Sequence, residues 1–133
     1  MSEIQHGRGY VYSIKYHIVW CTKYRCKILN NEVMHSLISI LNTIATENNF
    51  TIEEVNGLAD HIHLLVKCTP QHYIPSMVKA LKGVSARLLL KQHPELKTQL
   101  YRGHLWNPSY FVATVGEVNE ELIRNYITSQ TER

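Results

Sequence analysis

Residues 11–21 alternate in character: Tyr12, Ile14, Tyr16, Ile18 and Trp20 fall on one side, Ser13, Lys15 and His17 on the other. Side chains two apart on a strand share a face, so this pattern predicts a β-strand with one face buried. The period then changes. Val33, Met34, Leu37, Ile38, Leu41, Ile44 and Ala45 recur at three- and four-residue steps, which predicts an amphipathic helix. Asn30 or Asn31 can cap its start, Glu32 complements the positive end of its dipole, and Asn48-Asn49 ends it. Residues 50–55 and 61–68 read as two further strands. Between them stand the turn signal Asn56-Gly57 and then Leu58, Ala59 and Asp60, a connection longer than a two-residue hairpin. A second helix is expected over residues 75–92, with Pro75 in its first turn and Pro94 stopping it. Its apolar positions are Met77, Val78, Leu81, Val84, Leu88 and Leu89. Beyond a basic linker containing Gly103, residues 110–115 predict a fourth strand. Residues 117–130 predict a last helix, with Glu117, Glu120 and Glu121 in its first turns.

The resulting order, β-α-β-β-α-β followed by a helix, predicts an α+β fold. The expected architecture is a split βαβ antiparallel sheet of the ferredoxin or RNA-recognition type, with helices on one face and an added C-terminal helix. In that topology the first and third strands lie side by side in the middle, so the open face of the third strand is central. A length of 133 residues suits one domain spanning residues 1–133. Residues 1–9, polar and punctuated by glycine, are expected to be a flexible lead segment. No apolar run approaches the roughly 18 residues of a membrane span, and no apolar export segment opens the chain. Cys21, Cys26 and Cys68 are odd in number and form no CxxC pair, which fits thiols kept reduced in a cytosol. A soluble cytoplasmic protein is the expectation.

Charge adds a partner class. The net charge is only +3, but it is unevenly spread. Arg8, Lys15, Lys23, Arg25 and Lys27 face Glu3 alone within residues 1–30; Lys79, Lys82, Arg87, Lys91, Lys97 and Arg102 face Glu95 alone within residues 73–102. Two basic blocks are what a phosphate backbone selects for, although a solvated helix face would also produce the second. Lys23-Tyr24-Arg25 combines charge with a stacking surface at a strand end, a candidate contact to a single strand or hairpin. Lys79, Lys82 and Arg87 are expected to face backbone phosphates, and Arg8 is a candidate DNA-binding arm.

Two constellations could carry chemistry. His61-Ile62-His63 opens the third strand, so both imidazoles emerge from one face, where neutral nitrogens can share a cation. Spacing alone also fits a chance pair or a structural zinc site. On the last helix Tyr126 and Gln130 stand four residues apart on one face and present a phenol and a carboxamide. The same spacing fits Tyr126 within a core stripe with Leu122, Ile123 and Ile127. His17, on the first strand, either lies beside the metal site or is structural, and its polar-face neighbours favour the structural reading.

The wider motif set resembles a known family. Tyr16-His17-Ile18-Val19-Trp20-Cys21-Thr22-Lys23-Tyr24-Arg25 looks like the opening signature of the small single-tyrosine HUH transposases, the TnpA enzymes of insertion sequences that move as single-stranded DNA. His61-Ile62-His63 after Asp60 matches the two histidines of the family name. Lys79-Ala80-Leu81-Lys82-Gly83-Val84-Ser85-Ala86-Arg87 is similar to its basic helix motif, and Leu105-Trp106-Asn107-Pro108-Ser109-Tyr110 to its tryptophan-containing entry into the fourth strand. Tyr126-Ile127-Thr128-Ser129-Gln130 matches the helix that carries the nucleophile. The likeness spans essentially the whole chain, in order.

This resemblance implies a DNA strand transferase with Tyr126 as nucleophile and a 5′-phosphotyrosine intermediate. It implies a divalent metal, Mg²⁺ or Mn²⁺, on His61, His63 and Gln130, with residues 117–130 as the catalytic helix. It further implies a homodimer with composite active sites, acting on single-stranded DNA with imperfect hairpins at element ends. No nucleotide cofactor is expected, in keeping with the absence of a GxxxxGK[ST] loop. Two rivals share the same fold: a non-catalytic single-strand binding module of RNA-recognition type, and an HUH enzyme acting on repeated chromosomal hairpins. The binding module needs neither the histidine pair nor Tyr126.

Overall fold

The computed structural model describes residues 4–117 and 119–130. Among these, the elements run β1 (Gln5–Gly7), β2 (Tyr10–Tyr12), β3 (Ile14–Cys21), α1 (Asn31–Glu47), β4 (Thr51–Leu58), β5 (His61–Cys68), α2 (Ile74–Gln92), β6 (Phe111–Thr114) and α3 (Glu120–Ser129). Short 3-10 turns occupy Lys23–Arg25, Pro94–Gln99 and Tyr101–Gly103. Four strands form one antiparallel sheet in the order β4-β5-β3-β6, which puts β3 and β5 at its centre as the split βαβ topology requires.

Parity divides the sheet into two faces. Ile18 and Trp20 of β3 and Ile62, Leu64 and Val66 of β5 are fully buried against Leu37 and Leu41 of α1 and Leu81 and Leu89 of α2. Burying each aliphatic side chain contributes about 1.5–3 kcal/mol, so this one-sided layer holds the helices on a single face. The register sets Val19 opposite His63 and Cys21 opposite His61, which places both histidines on the other face.

Local chemistry explains the helix starts. The Asn30 side chain accepts a hydrogen bond from the Val33 amide at 2.9 Å, capping α1. The last helix begins later than expected. Asn119 caps α3 by accepting from the Leu122 amide at 2.9 Å, so Glu120 and Glu121, but not Glu117, lie in its first turn. Glu117 instead closes a turn onto the Thr114 carbonyl at 3.0 Å, and Val118 lies outside the described residues.

Three other expectations change. Asn56-Gly57 is not a turn: β4 continues through it, and Leu58 pairs with His61, leaving Ala59-Asp60 as a two-residue hairpin. Glycine is needed at position 57 because a Cβ there would sit 2.5 Å from the His61 carbonyl oxygen. The strand expected over residues 11–21 is split at Ser13, where the chain leaves the β1–β2 hairpin and enters the main sheet. Within the segment expected to be flexible, Gln5–Gly7 pairs with Tyr10–Tyr12 around an Arg8-Gly9 turn, Gly9 supplying a φ of 79°. Gln71 Nε2 ties this hairpin down by donating to the Tyr10 hydroxyl at 2.7 Å. Among the described residues no helix is long and apolar enough to cross a membrane.

Candidate active site

The histidine pair is built by β5 and positioned by its neighbours. His61 Nδ1 lies 3.0 Å from Asp60 Oδ1, and the other carboxylate oxygen accepts from Arg25 Nε at 3.3 Å. Burial pushes the Asp60 carboxyl up, but the bonds and charges of His61 and Arg25 outweigh it and hold the group below its ordinary value. An ionised carboxylate only accepts, so His61 Nδ1 donates to it, and this bond orients the ring.

His63 has a partner in His17, for which the sequence left a place beside the histidine pair open. His17 Nδ1 lies 2.7 Å from His63 Nε2, so one of the two rings donates to the other. Burial pushes His17 below the ordinary histidine value, with Glu54 opposing; burial and then the His17 and His61 rings push His63 down. Both rings are therefore neutral at pH 7, the form that offers a lone pair to a cation. The signal was present: β3 and β5 are neighbours in this topology, and His17 has the same parity as Val19, which pairs with His63.

Among the described residues no three His, Cys, Asp or Glu side chains converge as a metal cage. Two imidazoles on one face, one oriented by a carboxylate, fit an ion that takes its remaining ligands from an amide oxygen and from substrate oxygens. That is a partial fit, because Gln130 is engaged elsewhere. Its carboxamide oxygen accepts from Asn107 Nδ2, and its nitrogen donates to the Tyr126 carbonyl at 3.2 Å and to Ser129 Oγ at 3.1 Å.

Tyr126 lies on the open sheet face, against the Phe111 ring at 5.7 Å between centroids. Its hydroxyl donates to Ser109 Oγ at 3.0 Å. Burial raises the phenol above its ordinary value, and the Ser109 bond opposes this. Among the described residues no hydrogen bond or ring contact joins Tyr126 or Gln130 to His61 or His63. Phe111 pairs with Val19, and Val19 with His63. Phe111, against which Tyr126 packs, thus stands two strand spacings from His63, roughly 10 Å along the sheet. Between the histidines and α3 lies a cavity of about 650 Å³, lined by Asn56, His61, His63, Ile123, Arg124 and Ile127 among others.

The expected DNA contacts separate into three kinds. Lys79 and Arg87 on α2 and Arg8 on the β1–β2 turn are exposed, as phosphate contacts require. Lys23, Tyr24 and Arg25 form a turn beside the site, with Arg25 held by Asp60. Lys82 departs from expectation. Its ammonium turns inward and donates to the carbonyls of Asn107 and, at 3.0 Å, Ser109, and burial pushes it down to about 8. It thereby secures the segment whose side chains hold Tyr126 and Gln130, a role that helical periodicity does not reveal.

Known proteins resemble the chain in sequence and in fold. The profile of the family "Transposase IS200 like" matches residues 10–130. The ISDra2 transposase TnpA of Deinococcus radiodurans is 47% identical over 131 residues, covering 98% of this chain and 94% of the relative. The IS200 transposase of Salmonella typhimurium is 36% identical over 121 residues, covering 91% and 79% respectively. A Deinococcus radiodurans crystal structure assigned as a transposase superimposes with a TM-score of 0.92 at 46% identity, covering 97% of this chain and 99% of that one. A REP-associated tyrosine transposase bound to a REP hairpin shares the fold at a TM-score of 0.56 and 16% identity, over 96% of this chain and 68% of that one. Family profile, relatives and fold agree over nearly the whole length, and the chain belongs to the IS200-like family of single-tyrosine transposases, enzymes of DNA strand transfer.

Proposed function

We propose that the chain cleaves and rejoins single-stranded DNA at the ends of an insertion sequence, through a covalent 5′-phosphotyrosine on Tyr126. The observation that carries this reading is that the Tyr126 helix lies across the same open sheet face as His61 and His63, with a cavity between them. A silent binding module has no need of that pairing.

His61 and His63 would hold a divalent cation, Mg²⁺ or Mn²⁺, with Gln130 as a third ligand. When bound, that ion supplies Lewis-acid polarisation of the scissile phosphate. The chain's own residues do the rest. Asp60 fixes the His61 ring and its tautomer. His17 holds the neutral His63 ring. The Tyr126 oxygen forms a bond to phosphorus while the bond to the departing 3′ oxygen breaks, leaving a 5′-phosphotyrosine and a free 3′ hydroxyl. Attack by a 3′ hydroxyl on that ester restores the diester and returns the phenol. No ATP is consumed, because the ester conserves the bond energy.

Gln130, bonded to Asn107, and Tyr126, bonded to Ser109, would each have to be brought to a histidine pair. A homodimer in which each α3 serves the other copy's histidines would accomplish both. Imperfect hairpins at the element ends are the proposed recognition element. The hairpin-bound REP-associated relative supports this reading, as do the exposed Lys79 and Arg87.

The test is incubation with single-stranded hairpin DNA from the element ends and Mg²⁺, followed by a denaturing gel. A covalent adduct is expected that disappears with EDTA and with Tyr126→Phe; an adduct that survives Tyr126→Phe sinks the nucleophile assignment. His61→Ala should abolish cleavage and leave hairpin binding nearly intact. Mixing Tyr126→Phe with His61→Ala subunits should restore adduct formation if the helices are exchanged, and a mixture that stays inactive rejects the composite site.

A further inference from the structure

A second cavity, of about 330 Å³, opens between the turns Lys23–Arg25 and Tyr101–Gly103; its walls include Lys23, Tyr24, Lys27, Gln99 and Tyr101. The backbone around it is costly. Tyr24, Arg25 and Arg102 have φ values of 56°, 52° and 53°, and among the described residues the only other non-glycine with positive φ is Asn49. Asparagine tolerates the left-handed region, whereas each tyrosine or arginine there costs about 1–2 kcal/mol. Such residues persist where surrounding bonds over-determine them, and they cluster at ligand sites. Here the Lys23 amide donates to the Leu105 carbonyl at 2.8 Å, Thr22 Oγ1 to the Cys26 carbonyl at 2.8 Å, and Cys26 Sγ to the Gln99 carbonyl at 3.5 Å.

The strained turns bring together two rings from distant parts of the chain. Tyr24 and Tyr101 meet edge to face, with centroids 5.6 Å apart and planes at 79°. The Lys23 ammonium stands 5.0 Å from the Tyr24 centroid, and the Arg102 guanidinium 5.1 Å from that of Tyr101. Aromatic rings among cations suit single-stranded nucleic acid, whose bases stack on the rings while its phosphates meet the charges. A base within a duplex has both faces stacked and cannot enter a concave pocket of this kind.

We propose that this cavity takes an unpaired base of single-stranded DNA, seated against Tyr24 and Tyr101 with its flanking phosphates on Lys23 and Lys27. The Gln99 amide offers donor and acceptor to the base edge. This rests on the reading of the chain as an enzyme of single-stranded DNA, and it adds Tyr101, Gln99 and Lys27 to the residues that engage it.

The probe is an octathymidylate, with affinity measured by fluorescence anisotropy. Tyr101→Ala should weaken binding about 5- to 100-fold, the range for loss of one stacked base. Tyr101→Phe should bind as the parent does, because the ring remains. A blunt, fully paired duplex of the same length should bind all three proteins equally. Octathymidylate affinity unchanged by Tyr101→Ala overturns the proposal, and so does an equal loss on the duplex, which would report a change of fold or charge. An oligonucleotide with iododeoxyuridine should photocross-link to the peptide holding Tyr24 or Tyr101; cross-links confined to other peptides reject the pocket. A parent protein that binds octathymidylate but forms no Tyr126 adduct on end hairpins sinks the cleavage reading alone. Adduct formation together with unchanged Tyr101→Ala binding sinks the pocket alone.

Discussion

Gly57→Ala tests how tightly the sheet holds the histidine pair. The added methyl would stand 2.5 Å from the His61 carbonyl oxygen, where ordinary van der Waals contact begins at 3.4 Å. The obstacle is backbone, so no flexible side chain can yield, and β4 and β5 must part by several tenths of an ångström at His61. Overpacking of this kind costs about 1–3 kcal/mol. The lower entropy of the unfolded alanine chain offsets roughly 0.4–1 kcal/mol of it, leaving a net loss of about 1–2 kcal/mol. With an unfolding entropy near 2.1 cal/mol/K per residue, a chain of 133 residues loses about 4 °C per kcal/mol, so Tm should fall by roughly 4–8 °C. Gly83→Ala is the control. Gly83 lies within α2, and an alanine methyl there would meet nothing within 4 Å, so the substitution should stabilise the helix by about 0.5–1 kcal/mol. Thermal melts of both variants decide the matter, and the rate of Tyr126 adduct formation reports whether His61 has moved. An unchanged Tm in Gly57→Ala would refute the close approach of the two strands.

Other consequences follow from the site. Asp60→Asn removes the carboxylate that orients His61 and pairs with Arg25, so the apparent Mn²⁺ affinity should fall about 10- to 100-fold. A Mn²⁺ titration of adduct formation measures this, and an unchanged midpoint rejects the orienting role. Lys82 is held at about 8, below the 10.5 of a free lysine, so the unfolded chain binds more protons between those values and stability rises with pH across that window. Lys82→Met removes this slope, and melts from pH 7.5 to 10.5 should show the parent gaining on the variant. Parallel curves would mean that Lys82 is solvated.

Much of the fold was legible because its signals are local. A two-residue alternation, three- and four-residue apolar steps, and the cap Asn30 act within a turn or a strand. Parity alone put His61 and His63 on one face, since neighbouring side chains on a strand must diverge. The motif resemblance then joined them to Tyr126, which periodicity on its own left free to be a core residue. What only the tertiary structure decided depends on strands and turns far apart in sequence. The Asn56-Gly57 pair looked like a turn until the approach of β5 showed why glycine is needed inside a strand. His17 meets His63 through the β3–β5 register, and Arg25, in the turn after β3, meets Asp60 in the β4–β5 turn. Lys82 lies off the apolar stripe of its helix, yet two carbonyls from a distant segment draw its ammonium inward. Tyr24 and Tyr101 are separated by most of the chain, and only the packed turns bring their rings together. Local sequence determines which elements form and which face each side chain takes; the partners on that face are set by register and packing, which depend on the whole chain at once.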